Sequence, residues 1–266
     1  MKLSISNLAW ASAPLKQIAV PLRQAGIRGV EIAPTMVWPD APFVESMVIV
    51  EFGQAWRDYG LEISGIQSLM FGHPEYNLFS QETWPQMLNH MRAMIRVARG
   101  LGCGIAVFGS PKNRIRGSLP LELAHEIAAT FMNKLIPELT DNEVILTLEP
   151  NAPVYGADYL THYADILYLT DLIASQWVQP QIDTGCLSMV HENSADAARI
   201  RTPAHVHISA PHLAPPPIVS DHESLKDELT SASYAGWIVL EMLSTPTQPV
   251  ESAVSAARWL KSMYGE

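Results

Sequence analysis

The sequence predicts one α/β domain over residues 1–266, folded as a (β/α)8 TIM barrel, on three observations. Short apolar runs alternate with amphipathic segments eight times, the pattern of repeated strand–helix units. The length of 266 residues matches the roughly 250 that such a barrel uses as one domain. No linker or low-complexity stretch divides the chain, and its 48% hydrophobic content is ample for a large core.

The units read in order as follows. Leu3 to Ser6 is the first strand and Leu15 to Ala25 its helix, closed by Gly26. Gly29 to Ile32 is the second strand, followed by a helix from Val44 to Asp58 with Gly60 after it. Leu61 to Ile66 is the third. From Glu82 to Gly100, Trp84, Met87, Leu88, Met91, Ile95 and Ala98 recur at helical spacing, with Arg92, Arg96 and Arg99 on the other side, and Gly102 stops the helix. Ile105 to Phe108 is the fourth strand, with its helix from Pro120 to Leu139. Val144 to Leu148 is the fifth, a continuous apolar run suited to a parallel strand buried on both faces. A helix follows from Tyr159 to Ser175. Val178 to Ile182 is a poor sixth strand, because Pro180 interrupts it. Ala204 to Ile208 is the seventh, Ser220 to Ser233 a charged helix, Ile238 to Leu240 the eighth, and Val250 to Met263 the closing helix. Loss of the sixth and seventh strands would leave an open flavodoxin-like or Rossmann-like sheet. No Gly-x-Gly-x-x-Gly follows the first strand, which counts against a nucleotide-binding sheet. The glycines of Gly100–Gly104 lie between a helix and the next strand and read as a tight turn.

The net charge is −10, with 17 Lys and Arg against 27 Asp and Glu, which disfavours nucleic acid as a partner. Cys103 and Cys186 suit neither a disulfide framework nor a zinc ribbon. The first residues lack a signal-peptide apolar region, and no apolar stretch approaches the roughly 20 residues needed to span a bilayer. The expectation is a reduced, cytoplasmic protein with no membrane partner; a homo-oligomer is left open.

In such a barrel the chemistry sits at the C-terminal strand ends. The later strands place Glu149, Asp183, His207 and Glu241 there, separated by 34, 24 and 34 residues, about one βα unit each. Two glutamates, an aspartate and a histidine suit Mn²⁺, Mg²⁺ or Co²⁺ and can bind Zn²⁺. A carboxylate beside a metal-bound substrate can also move a proton. Taken singly, each residue has a plainer role: a first exposed glutamate, a turn at Asp183-Thr184-Gly185, a core histidine. Four at βα intervals tip the balance toward one divalent metal.

The segments Leu148-Glu149-Pro150-Asn151, Asp183-Thr184-Gly185, His205-Val206-His207 and Tyr234 to Glu241, with Phe108 to Arg114, resemble the xylose-isomerase-like TIM-barrel superfamily. That superfamily includes sugar isomerases, ketose 3-epimerases and endonuclease IV (AP endonuclease family 2). The resemblance implies one metal held by Glu149, Asp183, His207 and Glu241, with Glu149 and Glu241 also acting as acid and base on opposite faces of a substrate carbon. It implies a small carbohydrate substrate: a sugar, sugar phosphate or sugar acid. Two departures stand out. Cys186 takes the place of a histidine common in the family, and Leu213 that of an arginine common in epimerases, with His212 beside it. A dehydratase acting on a polyol would use the same metal and base. An endonuclease IV-like phosphodiesterase ranks lower, since several of its further metal histidines are missing.

Glu31 and Gln67, at the second and third strand ends, are candidates to bind sugar hydroxyls; a rim salt bridge is the plainer role of Glu31. Lys112 and Arg114 could hold a substrate phosphate or carboxylate, or belong to a solvated loop. Cys186 and His212 complete the substrate-binding candidates.

Overall fold

Strands of four to six residues, mostly buried along their length, build this molecule. The computed structural model describes residues 1–10, 13–218 and 221–265. The strands are β1 (Lys2–Ser6), β2 (Gly29–Ile32), β3 (Glu62–Ile66), β4 (Ile105–Phe108), β5 (Ile145–Leu148), β6 (Val178–Asp183), β7 (His205–Ile208) and β8 (Trp237–Leu240). All neighbours pair in parallel, in chain order, and β8 pairs with β1 to close the barrel. The predicted fold class, a (β/α)8 TIM barrel, is the one observed. The helices are α1 (Leu15–Gln24), α2 (Pro34–Val37), α3 (Ser46–Asp58), α4 (Trp84–Leu101), α5 (Leu121–Asn133), α6 (Ile136–Asn142), α7 (Tyr163–Ile173), α8 (Thr184–Met189), α9 (Ser194–Ile200), α10 (His222–Ser231) and α11 (Pro249–Tyr264). None among the described residues is long and apolar enough to cross a membrane.

The apolar stripe of α4 is buried as its spacing predicts, while Arg96 reaches out to Glu138 of α6 at 2.9 Å. The long helix expected from Pro120 to Leu139 is two helices, because α5 stops at Asn133 and α6 restarts with Pro137 in its first turn, where a missing amide hydrogen costs nothing. The charged helix expected from residue 220 begins at His222; residue 220 itself lies outside the described residues. Helices α8 and α9 were not expected. Asp183 and Asn193 nucleate them as N-caps, their side chains accepting the amide hydrogens of Cys186 and of Ala195 and Asp196 respectively.

The doubtful sixth strand is regular, and its register explains why. β6 pairs with β5 through Val178 to Pro180 and with β7 only from Gln181 onward. The Pro180 carbonyl accepts from Ala204 N at 2.9 Å, and the missing Pro180 amide hydrogen falls before the β7 ladder starts. A register shift in the β2–β3 pairing, between Val30 and Glu31, sets Glu31 opposite Gly65. A Cβ at Gly65 would sit 3.0 Å from Glu31 Oε1, so a glycine there gives Glu31 room to turn inward.

The barrel interior is polar below its mouth. Ser4 and Ser64 hydrogen-bond at 2.7 Å, and Thr147 donates to Gln181 Oε1 at 2.6 Å. Glu31 meets His205 at 2.7 Å across the barrel. Each of these side chains is buried and has at least one hydrogen-bond partner, although His205 Nδ1 and Glu31 Oε2 make no hydrogen bond of their own.

Candidate metal centre and active site

Glu149, Asp183, His207 and Glu241 stand at the C-terminal ends of β5 to β8, and each offers one ligand atom within 4.8 Å of the others. His207 Nδ1 lies 2.8 Å from Glu149 Oε1, 3.4 Å from Glu241 Oε2 and 3.9 Å from Asp183 Oδ2. Although these atoms are close, His207 Nδ1 makes no aligned hydrogen bond. Three carboxylates crowded around one unbonded imidazole nitrogen is the arrangement a shared cation requires. Ligand bonds of about 2.0–2.6 Å set neighbouring ligand atoms a few ångströms apart, as here.

The electrostatics agree. By protein charges alone, burial and then the Glu149 charge push the Asp183 carboxyl up to about 6, against the opposing pull of His207. Burial likewise raises Glu241 to about 7 despite His207 beside it. Burial works against a charged His207, but Glu31, Glu241 and Glu149 overcome it and hold the imidazole well above its usual range. All three groups therefore keep protons that the unfolded chain gives up at lower pH. The contribution of the two carboxyls to stability is complete below the ordinary carboxylate range and is lost as pH rises through about 6 and 7, while that of His207 is complete below the ordinary imidazole range and is lost only at higher pH. The cation-free protein is expected to melt at progressively lower temperature from pH 5 to 8, and saturating metal, which takes the protons' place, is expected to abolish that slope. Calorimetric scans across this range with and without Mn²⁺ check this; parallel slopes would count against it.

Three of the four are held from behind. Glu149 Oε1 accepts from Gln181 Nε2 at 2.9 Å and Oε2 from Asn151 Nδ2 at 3.2 Å. Ser209 Oγ lies 2.8 and 2.9 Å from the two oxygens of Asp183, and the Cys186 amide donates to Oδ1 at 2.6 Å. His207 Nε2 lies 2.8 Å from Glu31 Oε2, while Glu31 Oε1 takes His205 Nε2. Burial alone would raise the Glu31 carboxyl, yet His207 and His205 hold it at about 2. Glu31, His205 and His207 could themselves be read as a second metal group. All three are fully buried, and neither Glu31 nor His205 lines the cavity at the barrel mouth, so we assign them to orienting His207.

That cavity, of about 340 Å³, is lined by Glu149, Asp183 and Glu241 with Val107, Tyr155 and Leu213 on its walls. A larger surface cavity of about 830 Å³, between α1 and α11, contains none of the converging ligands. Of the other candidates, Gln67 and Cys186 line the mouth. Gln67 also hydrogen-bonds Ser6, and burial holds the Cys186 thiol well above its usual range. Glu31 lies beneath the metal ligands. Arg114 is fully buried and turned inward, donating to the Glu149 carbonyl at 2.7 Å, with burial lowering it to about 10. His212 is exposed, its amide donating to the Tyr155 hydroxyl at 2.8 Å, while its neighbour Leu213 forms the wall. Lys112 is exposed on the turn after β4. Sequence reading passed over Gln181, His205 and Ser209. The first two were within reach, since each stands two residues before a ligand on the same strand and so shares its face.

Gly109 follows β4, and a Cβ there would overlap Glu149 Oε2. Gly109→Ala is expected to displace that carboxylate and weaken metal binding about tenfold or more while the protein stays folded, the scale of disturbed ligand support. Metal titration alongside circular dichroism checks it.

An eight-stranded parallel barrel with three carboxylates and an imidazole converging at its C-terminal mouth defines a class of barrels with a candidate metal site. This chain belongs to the xylose isomerase-like TIM barrel family, whose model matches residues 21–263. Among solved structures it is similar to D-psicose 3-epimerase in the presence of D-fructose, with a TM-score of 0.81 and 14% identity over 100% of both chains. It is similar to L-ribulose 3-epimerase, with a TM-score of 0.81 and 17% identity over 99% of this chain and 95% of that one. It is also similar to 3-keto-D-glucoside 4-epimerase from E. coli, with a TM-score of 0.77 and 18% identity over 98% and 99%. At these identities the likeness establishes the fold. No curated protein matches the sequence.

Proposed function

We propose that this chain is a divalent-metal-dependent epimerase or isomerase of a sugar, sugar phosphate or sugar acid, with Mn²⁺ as the expected ion and Zn²⁺, Mg²⁺ or Co²⁺ as alternatives. The observation that carries the reading is that Glu149, Asp183 and Glu241 line one cavity and converge with the buried His207 just behind it. The ion would supply positive charge that stabilises the enediolate formed when the carbon beside the carbonyl loses its proton. Glu149 and Glu241 come from different strands. One takes the proton from that carbon and the other returns a proton to the opposite face. Glu241 lines the cavity while only 8% exposed, which places it to reach a bound sugar with little competing water. Gln181 and Asn151 hold Glu149 in place for the exchange. Val107 and Leu213 exclude water from the walls. The negative charge of −10 supports a small carbohydrate rather than nucleic acid as the partner.

The test is to incubate the Mn²⁺-loaded protein with ketoses, sugar phosphates and sugar acids in D₂O and follow them by NMR. Deuterium at the carbon next to the carbonyl, with an epimer or isomer as product, is expected. Loss of water instead identifies the dehydratase on the same site. No exchange with any member of the panel would sink the proposal.

A further inference from the structure

A second cavity of about 460 Å³ adjoins the one that holds the metal ligands, and the two share Ser68, Ser110 and Pro111. Their common edge is stiff: Ser68 and Ser110 hold left-handed backbone angles, φ 57° and 45°, and Pro111 follows directly. The second chamber is lined by Met70, Phe71, Pro74 and Lys112 from the loops after β3 and β4. Phe71 is 70% exposed, an aromatic face left to the open cleft. Three cations follow β4 in this loop, and two are committed. Arg114 is buried on the Glu149 carbonyl, and Arg116 donates to the carbonyls of Asp158 and Leu119. Lys112 is exposed and has no hydrogen bond or ion pair among the described residues.

We propose that the substrate is a glycoside rather than a free monosaccharide. The reacting sugar sits in the metal cavity and its second ring lies in the adjoining chamber, its C–H face on Phe71 and its hydroxyls within reach of the Lys112 ammonium. The inference rests on the sugar-epimerase reading of the metal cavity. Three features support it. The first chamber alone lies at the small end of the roughly 300–1,000 Å³ of ligand sites, whereas the joined chambers lie well within it. An exposed aromatic beside an active-site cleft is the kind of apolar surface that marks a binding face. The free ammonium supplies three hydrogen-bond donors that no protein group uses.

The experiment is calorimetric titration of the Mn²⁺-loaded protein with D-fructose and with three disaccharides that retain a free ketose: maltulose, turanose and isomaltulose. At least one disaccharide is expected to bind about tenfold or more tightly than D-fructose. Phe71→Ala and Lys112→Ala, both surface changes, are expected to bring that ratio close to one while the variants still take up Mn²⁺. Equal affinity for D-fructose and all three disaccharides, or a ratio untouched by Phe71→Ala, overturns the second chamber alone. Failure of all four sugars and of a wider ketose panel to bind, with Mn²⁺ demonstrably held, overturns this proposal and the sugar reading together.

Discussion

Glu241→Gln and Glu149→Gln are each expected to slow exchange of the substrate α-proton with solvent by about 10²–10⁴-fold, the usual contribution of a positioned acid or base. The amide keeps the shape of the carboxyl but can neither take nor return a proton at neutral pH. It also remains a weak oxygen ligand, so part of the loss could come from poorer metal retention. Excess Mn²⁺ separates the two effects: with metal content restored, the exchange defect of both variants should persist. Wild-type exchange in both variants, measured by NMR in D₂O, would sink the acid–base assignment and leave the carboxylates only as ligands.

Glu31→Gln is expected to lower metal affinity about 10–100-fold, although Glu31 does not itself join the four converging ligands. The reason is the tautomer of His207. Glu31 Oε2 lies 2.8 Å from His207 Nε2; neither atom makes an aligned hydrogen bond, but the carboxylate charge favours the ring hydrogen on that side, with Nδ1 facing Glu149, Asp183 and Glu241. A glutamine offers one acceptor oxygen to two histidines. If the oxygen serves His205, the amide hydrogens meet His207 Nε2 and drive its hydrogen to Nδ1, the side the ion needs. Breaking a fully buried charge pair also costs about 3 kcal/mol of stability. Metal titration by calorimetry, paired with thermal melts, checks both parts. Wild-type metal affinity in the variant would refute the orienting role.

The barrel was legible because its information is local and repeated. The apolar stripe of α4 or the run Val144 to Leu148 needs no distant partner to be read. The four converging residues were legible for a related reason: a strand end every βα unit is a position that counting finds. The rest depends on pairings far apart in the chain. Glu31 read as a substrate contact or a rim charge; its actual neighbours, His205 and His207, lie on the seventh strand. Arg114 read as an anion-binding side chain because its loop is basic, yet it turns inward to a carbonyl 35 residues away. Pro180 counted against a strand until the register placed its missing hydrogen outside the β7 ladder. Helix α8 escaped because a ligand and a cap coincide: Asp183 accepts the Cys186 amide while one of its oxygens also belongs to the converging cluster.

The bridge from Glu31 to His205 and His207 also bears on when the candidate ion site can form. A chain emerging from the ribosome makes Glu31 first, then Glu149, and Glu241 after both. His207 is aimed by a residue 176 positions before it and completed by one 34 positions after it. A nascent chain that stops short of β8 lacks both the last ligand and the β1–β8 pairing that closes the ring. The candidate ion site can therefore be complete only once β8 has been made, because it needs Glu241 and the closing β1–β8 pairing.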